Sequence, residues 1–338
     1  MAGVCPPERA AAIARAGSMG AFGALLSKPD EIATWVRRFR ALGGTSLQIN
    51  LWVPDPPPAR DRDAEARVAR FLEQWGPTVG AEVGDARPPD FAAQCDAVLA
   101  CSPTVVSSIM GLFPAPFVER LKARSIAWFA TATTAAEARI AEAAGADAIV
   151  AQGMEAGGHR GAFDAQDAER ALVGLFALVP RIADSVRIPI VAAGGIGDGR
   201  TAAAAFTLGA SAVTIGTALL RCPETELPDA WDRALDGLDP EATMLTRSFS
   251  GRAGRAVATA YVRAASAPDA PSPAPYPVQR ALTAAMRSDA VRRGDLNGMQ
   301  AWAGQGAALA RAEPAADVVQ RIWREASELL AGWRGQTP

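Results

Sequence analysis

The sequence predicts an α/β fold in which helices cover both faces of a parallel sheet. Two observations predict it. Short apolar runs alternate with Ala-rich helical stretches from the start of the chain to about residue 220. The runs, such as Ala148-Ile149-Val150-Ala151, are apolar on both faces, as strands are when a sheet is buried on both sides. The pattern suits a closed TIM-type (β/α)8 barrel or an open doubly wound sheet. A length of 338 residues suits two domains or one barrel with an appendage.

Pro6-Pro7-Glu8 opens a first helix, since proline is tolerated in a first turn, and Gly17 closes it. Ala21-Phe22-Gly23-Ala24-Leu25 is a short strand. Ser27 caps a helix over 29–42 that Gly43-Gly44 ends, and Leu47-Gln48-Ile49-Asn50-Leu51 is the second strand. A loop with Pro54, Pro56, Pro57 and Pro58 leads into a charged helix ending near Trp75. Ala97-Val98-Leu99-Ala100 reads as the third strand, 117–123 as helix, and Ile126-Ala127-Trp128-Phe129-Ala130 as the fourth strand. Thr134 and Glu137 form a capping-box pair, starting a helix that Gly145 stops. After the fifth strand at 148–151 come a helix over 165–185 and the sixth strand at 189–193. A helix over 200–208 and the seventh strand at 212–215 complete the alternation. A closed barrel has eight strands, so the expectation is a barrel lacking its first strand, with that strand lying before Met1.

Residues 1–224 are expected to form the barrel, and 225–338 a mixed and helical segment packing on its mouth. Within that segment lie Ser248-Phe249-Ser250-Gly251-Arg252 and an extended stretch with five prolines between Pro268 and Pro277. Residues 278–333 read as helical, interrupted at Gly304-Gln305-Gly306. No period of about 20–50 residues recurs, which argues against a solenoid.

Composition narrows the function. With 49% hydrophobic and 21% charged residues, a large core is available and wholesale disorder is excluded. A net charge of −2 argues against a nucleic-acid binder, which would be basic. No apolar run reaches the roughly 18–20 residues that span a bilayer. The start, Met1-Ala2-Gly3-Val4-Cys5-Pro6-Pro7-Glu8, lacks the basic and apolar regions of a signal peptide. Cys5, Cys95, Cys101 and Cys222 stand far apart, which reads as reduced thiols in a cytoplasmic protein and argues against a metal centre. His159 is the single histidine, so mechanisms needing two are excluded.

Ala151-Gln152-Gly153-Met154-Glu155-Ala156-Gly157-Gly158-His159-Arg160-Gly161 follows a buried strand, at the end of a parallel sheet where active sites are built. A lone histidine is most often a satisfied structural residue. Glycines around it let the backbone approach a planar ligand and favour a functional reading. Two further turns resemble a phosphate cup: Ala193-Gly194-Gly195-Ile196-Gly197-Asp198-Gly199 and Ile215-Gly216-Thr217. They follow what count as barrel strands seven and eight, where backbone N–H groups commonly bind phosphate. Each alone is equally a tight turn needing positive φ; the pair favours phosphate. Asn50, ending an apolar strand, either caps a loop or offers its amide to a flavin edge, and Gln152 has the same chemistry. Trp302 and Gln305 either fold over the mouth or pack within a helix, and helix packing is preferred.

The 151–161 segment and the two glycine turns resemble the nitronate monooxygenase family, formerly called 2-nitropropane dioxygenases. The resemblance continues through Ser250-Gly251-Arg252, Ala274-Pro275-Tyr276-Pro277 and Trp302-Ala303-Gly304-Gln305, so it covers nearly the whole chain. It implies a TIM-type barrel holding FMN, with Asn50, Gln152 and Gly157 at the flavin. It implies Gly194, Gly195, Thr214, Ile215, Gly216 and Thr217 at the phosphate, and His159 as catalytic base. Members often carry glutamine where this chain has Thr214. The implied reaction oxidises an alkyl nitronate with dioxygen to a carbonyl compound and nitrite, with propionate 3-nitronate as the toxic target. One flavin and one histidine suffice for that chemistry. The Gly-Gly-His loop also resembles enoyl reductases of the same superfamily. The rival readings are therefore an NAD(P)H-dependent FMN reductase of enoyl thioesters or quinones, and a non-catalytic flavin- or phosphate-sensing barrel.

Overall fold

The computed structural model describes residues 3–334. In chain order the first part comprises α1 (Pro7–Arg15), β1 (Gly20–Gly23), α2 (Pro29–Ala41), β2 (Leu47–Trp52), α3 (Arg62–Leu72) and α4 (Phe91–Cys101). It continues with β3 (Val105–Ile109), α5 (Ala115–Lys122), β4 (Ala127–Ala132), α6 (Ala135–Ala143) and β5 (Ala148–Gln152). Then come β6 (Gly158–His159), α7 (Leu175–Ala183), β7 (Ile190–Ala193), α8 (Gly199–Thr207) and β8 (Ala212–Thr214). Among the described residues, β1-β2-β3-β4-β5-β7-β8 form one curled parallel sheet of seven strands, with β1 and β8 at its edges. Met1 and Ala2, before which the first barrel strand is expected, lie outside the described residues.

The third strand is not at 97–100. Those residues lie inside α4, and the strand is Val105–Ile109. A four-residue apolar run does not distinguish a strand from a helix buried on several sides. Asp90 caps α4 by accepting from Ala93 N at 2.7 Å, and Ser102 ends it in the left-handed region at φ 44°. The helix expected over 165–185 begins only at Leu175, after a short 3-10 turn at Asp167–Glu169. Lys28, rather than Ser27, is the N-cap of α2, with Glu31 accepting from its backbone N–H at 2.7 Å. The Thr134–Glu137 capping box forms as expected: Thr134 Oγ1 accepts from Glu137 N at 3.1 Å, and Glu137 Oε2 accepts from Thr134 N at 3.2 Å.

Beyond β8 the chain leaves the barrel and returns. It forms α9 (Asp229–Leu235), β9 (Thr243–Thr246), β10 (Gly254–Val257), α10 (Ala260–Ala264), α11 (Val278–Leu282), α12 (Ala284–Arg293) and α13 (Ala315–Arg334). The 20-residue α13 does not sit on the mouth. It packs on α8 and on α1, closing the ring of helices around the sheet. Its fit against α8 is close: a Cβ on Gly199 would lie 2.2 Å from Glu325 Cβ, and Gly199 N donates to Glu325 Oε2 at 3.1 Å. Val318, Val319, Ile322 and Ala326 bury into the barrel core. Residues 216–314 are therefore an insertion between the last strand and the last ring helix. They share a second core of Leu220, Trp231, Phe249, Tyr261 and Trp302 with Val68 and Leu72 of α3. Residues 300–303, read as helical, are non-helical, as is the expected interruption at 304–306, and Trp302 bridges to Ala256 as an isolated β-pair.

Ala151 pairs with Ala192, and Ala193 with Thr214. This register lines up the ends of β5, β7 and β8, so their three loops open on one mouth. No described helix is long and apolar enough to cross a membrane. Cys95, Cys101 and Cys222 are buried free thiols, and Cys5 is half-buried and free. Burial pushes the Cys95 and Cys222 thiols up to about 12.

Candidate active site

The loop after β5 is fastened along its length. Gln152 Nε2 donates to His159 O at 3.0 Å, and Gln152 Oε1 accepts from Gly161 N at 2.7 Å. Gln152 thus spends both ends of its amide bracing the loop. Arg160 Nη1 donates to Gln152 O at 2.8 Å, and Arg255 Nε donates to Met154 O at 3.0 Å. β6 pairs antiparallel with β10, His159 opposite Gly254 and Gly158 opposite Arg255, and β9 extends this small sheet. Gly157 is needed for an approach by the chain itself: a Cβ there would lie 2.4 Å from Gly304 N and 2.7 Å from Ala303 C. Gln305 N donates to Glu155 O at 2.9 Å. Trp302 and Gln305 therefore stand at the mouth rather than in a helix.

His159 lies between two indoles. Trp52 is 4.8 Å away, centroid to centroid, at 69°, and Trp302 is 4.9 Å away at 60°. Its Nε2 is 2.7 Å from Ser250 Oγ. Tyr276 stacks on Trp52 at 4.6 Å. Burial, then the charges of Arg280 and Arg252, push the His159 pKa down to about 3, so the ring is neutral at physiological pH. Arg252, 2% exposed, pairs with Asp55 at 3.3 Å, and its Nη1 is buried with no hydrogen-bond partner. Burial raises the Asp55 carboxyl above its usual range, against the pull of Arg252. The site thus has a neutral imidazole in a positive field.

The turns after β7 and β8 contrast with this loop. Gly194 (φ 124°) and Gly195 (φ 65°) adopt backbone that L side chains rarely take. The N–H groups of Gly194, Gly195 and Gly216 donate to no acceptor among the described residues. A Cβ on Gly216 would meet nothing within 4 Å, so this backbone faces open space. Thr214 at the end of β8 is exposed and Ile215 is half-buried. Thr217 is committed elsewhere in part, its Oγ1 accepting from Gly304 N at 3.0 Å. Asp198 caps α8 through Thr201 N at 2.9 Å, so the helix points its N-terminus at the turn. Unspent donors, positive φ and open space fit the phosphate end of FMN.

Asn50 sits on β2 opposite Ser107, and its Nδ2 donates to Ser107 Oγ at 2.9 Å. Its Oδ1 is left as an acceptor that suits a ring N–H. Trp52 lies two residues along the same strand, and alternation puts it on the same face as Asn50. Strand alternation in Leu47–Trp52 is the sequence signal that marks Trp52 as a site residue. The parts played by Ser250, Tyr276 and Arg280 had no local signal. Ser250 stands 91 residues from His159.

A parallel barrel with unspent N–H donors at its last two strand ends and one imidazole at its mouth defines a class of cofactor-binding α/β enzymes. The comparisons narrow it. Residues 1–325 match the family described as Nitronate monooxygenase. The nitronate monooxygenase of Paraburkholderia phytofirmans is 39% identical over 336 residues, covering 98% of this chain and 91% of that protein. Among solved structures, the nitroalkane oxidase from Streptomyces ansochromogenes superposes with a TM-score of 0.89 at 35% identity, covering 98% of this chain and 95% of that one. FabK from Thermotoga maritima superposes with a TM-score of 0.76 at 26% identity, covering 100% and 94%. This chain belongs to the nitronate monooxygenase family, a family of oxidoreductases with the TIM-barrel fold.

Proposed function

We propose that this chain uses FMN to oxidise alkyl nitronates, such as propionate 3-nitronate, with dioxygen to a carbonyl compound and nitrite. The observation that carries the reading is the neutral His159 ring, held by Ser250 between two indoles in the field of Arg252 and Arg280. Such a site attracts an anion and offers a lone pair for one proton. Bound FMN would supply the redox chemistry, taking electrons from the organic substrate and passing them to dioxygen.

The chain's own groups would do the rest. The N–H groups of Gly194, Gly195 and Gly216 would hold the phosphate, with Thr214, Ile215 and Thr217 lining it. Asn50 Oδ1 would accept from the ring edge. Gln152 and Gly157 would act through the loop they shape. His159 would contact a nitronate, or take the carbon-bound proton of a neutral nitroalkane. A base with a pKa near 3 is a weak proton acceptor at neutral pH. A nitronate has already lost that proton, so the electrostatics favour it over the nitroalkane. The partners are then small molecules, in the cytoplasm, where free thiols persist.

The test is to purify the protein, record its spectrum, identify any flavin by mass, and supply a pre-formed nitronate. The expected result is bound FMN, oxygen uptake and nitrite release; flavin-free protein, or no turnover of any nitronate, overturns the reading. A second reading, an NAD(P)H-dependent FMN reductase of enoyl thioesters or quinones, is favoured by the likeness to FabK. Anaerobic mixing separates the two: rapid bleaching of the flavin by NADH or NADPH favours the reductase.

A further inference from the structure

We propose that Ser250 is a positioning residue that fixes the tautomer of His159, holding the proton on Nε2 and leaving Nδ1 as the bare nitrogen. The value of this for catalysis rests on His159 being the active-site base, but the tautomer is a property of the chain itself.

A serine hydroxyl has one hydrogen to donate and two lone pairs to accept with. Ser250 is fully buried, so its partners are those of the chain. Its Oγ lies 3.2 Å from Arg252 O, which can only accept. It lies 3.3 Å from Arg252 N, which can only donate. The hydroxyl hydrogen therefore goes to Arg252 O, and one lone pair takes Arg252 N–H. The remaining lone pair faces His159 Nε2 at 2.7 Å, and what fits it is an N–H.

The opposite arrangement is costlier. If Ser250 donated to a bare Nε2, Arg252 O would lose a partner that nothing else among the described residues replaces. The imidazole proton would move to Nδ1, which makes no hydrogen bond among the described residues. The cost falls on the carbonyl of buried Arg252, an acceptor that loses the one hydroxyl aimed at it. A doubly protonated ring is opposed by burial and by Arg280 and Arg252.

The surroundings keep the ring from escaping this choice. The backbone of His159 is held in the β6–β10 pair and by Gln152, and the ring planes of Trp52 and Trp302 flank the imidazole. Ser250 then decides which nitrogen is protonated, as second partners commonly do for functional histidines. Its own anchor is the turn at 250–252, held from below by Thr283 Oγ1 donating to Phe249 O at 2.7 Å.

The chain has a single histidine, so 15N-histidine labelling of the protein, purified without a polyhistidine tag, yields one imidazole in the spectrum. Two-bond 1H–15N correlation then reads the tautomer directly. The expected result is a protonated Nε2 and a bare Nδ1, unchanged from pH 8 down to pH of about 5. A parent spectrum with the proton on Nδ1, or a tautomer mixture, overturns the proposal without any variant. In Ser250→Ala the signals are expected to move toward a two-tautomer average, with kcat on a neutral nitroalkane falling by about fivefold to tenfold. A Ser250→Ala spectrum identical to the parent's also overturns it. Failure of His159 as base is a separate result: His159→Asn would then leave nitroalkane turnover intact while the parent spectrum still showed Nε2 protonated.

Discussion

The loop after β5 and the turns after β7 and β8 share one mouth and are built in opposite ways. In the first, the amide of Gln152, the carbonyl and Nε2 of His159, and the carbonyl of Glu155 are all spent on partners within the chain. In the second, Gly194, Gly195 and Gly216 carry N–H groups with no acceptor among the described residues. Folding alone sets the first geometry, which suits a group that must hold one proton at one place. A ligand completes the second. Variants that press on the loop's backbone should therefore cost stability, and a cup variant that leaves the backbone unstrained, as at Gly216, should disturb cofactor retention alone.

The sharpest test of the loop is His159→Asn. Turnover of neutral nitroalkanes should fall, and by no more than the about 10²–10⁴-fold that a well-matched general base contributes, because a pKa of about 3 makes His159 a weak one. Oxidation of a pre-formed nitronate should fall far less, mainly through KM. Oxygen consumption normalised to bound flavin measures both; equal losses on the two substrates would reduce His159 to a binding contact. For the cup, Gly216→Val meets no neighbour and should abolish FMN retention while leaving the thermal midpoint of the flavin-free protein unchanged. Gly194→Val should lose both, because φ 124° strains a branched residue and its Cβ lies 3.1 Å from Ala156 N. Full FMN occupancy in both variants would place the phosphate elsewhere.

Gly157→Ala is smaller in effect and opposite in kind. Its methyl would press on backbone atoms at 303–304, so urea denaturation should show a loss of about 1–3 kcal/mol. Unchanged stability would mean the loop is looser than its hydrogen bonds indicate. An effect of similar size is expected in pH. His159 has a folded pKa of about 3 against 6.5 when unfolded. Between those values the unfolded chain binds a proton that the folded chain does not, so stability is full above pH 6.5 and falls as pH drops. The stability gap between the parent and His159→Asn should narrow by up to about 1.4 kcal/mol per pH unit below that point. A constant gap between pH 7 and pH 5 would contradict the buried neutral ring.

Legibility in the sequence followed the same division. The alternation of strands and helices was readable where a strand is apolar on both faces, as at 148–151. The cup was readable because positive φ demands glycine at the strand end. The run at 97–100 was misread because four apolar residues fit a buried helix as well as a strand. The partners of His159 were not readable as partners. Ser250 and Trp302 reach it, and Tyr276 reaches Trp52, through an insertion whose strands, β9 and β10, are four residues long and have no pattern of their own. Likewise α13 closes the helix ring about a hundred residues after β8, too far for local periodicity to assign it there.

A positively polarised site with a weak base is built to take a ready-made anion. Oxygen uptake and nitrite release by the purified flavoprotein test this with one compound supplied in two forms, as pre-formed nitronate and as neutral nitroalkane. Rapid turnover of the nitronate is expected, with nitrite formed in step, and much slower turnover of the nitroalkane. Equal rates on the two forms, or no oxygen uptake with the nitronate while NADPH bleaches the flavin, would contradict it.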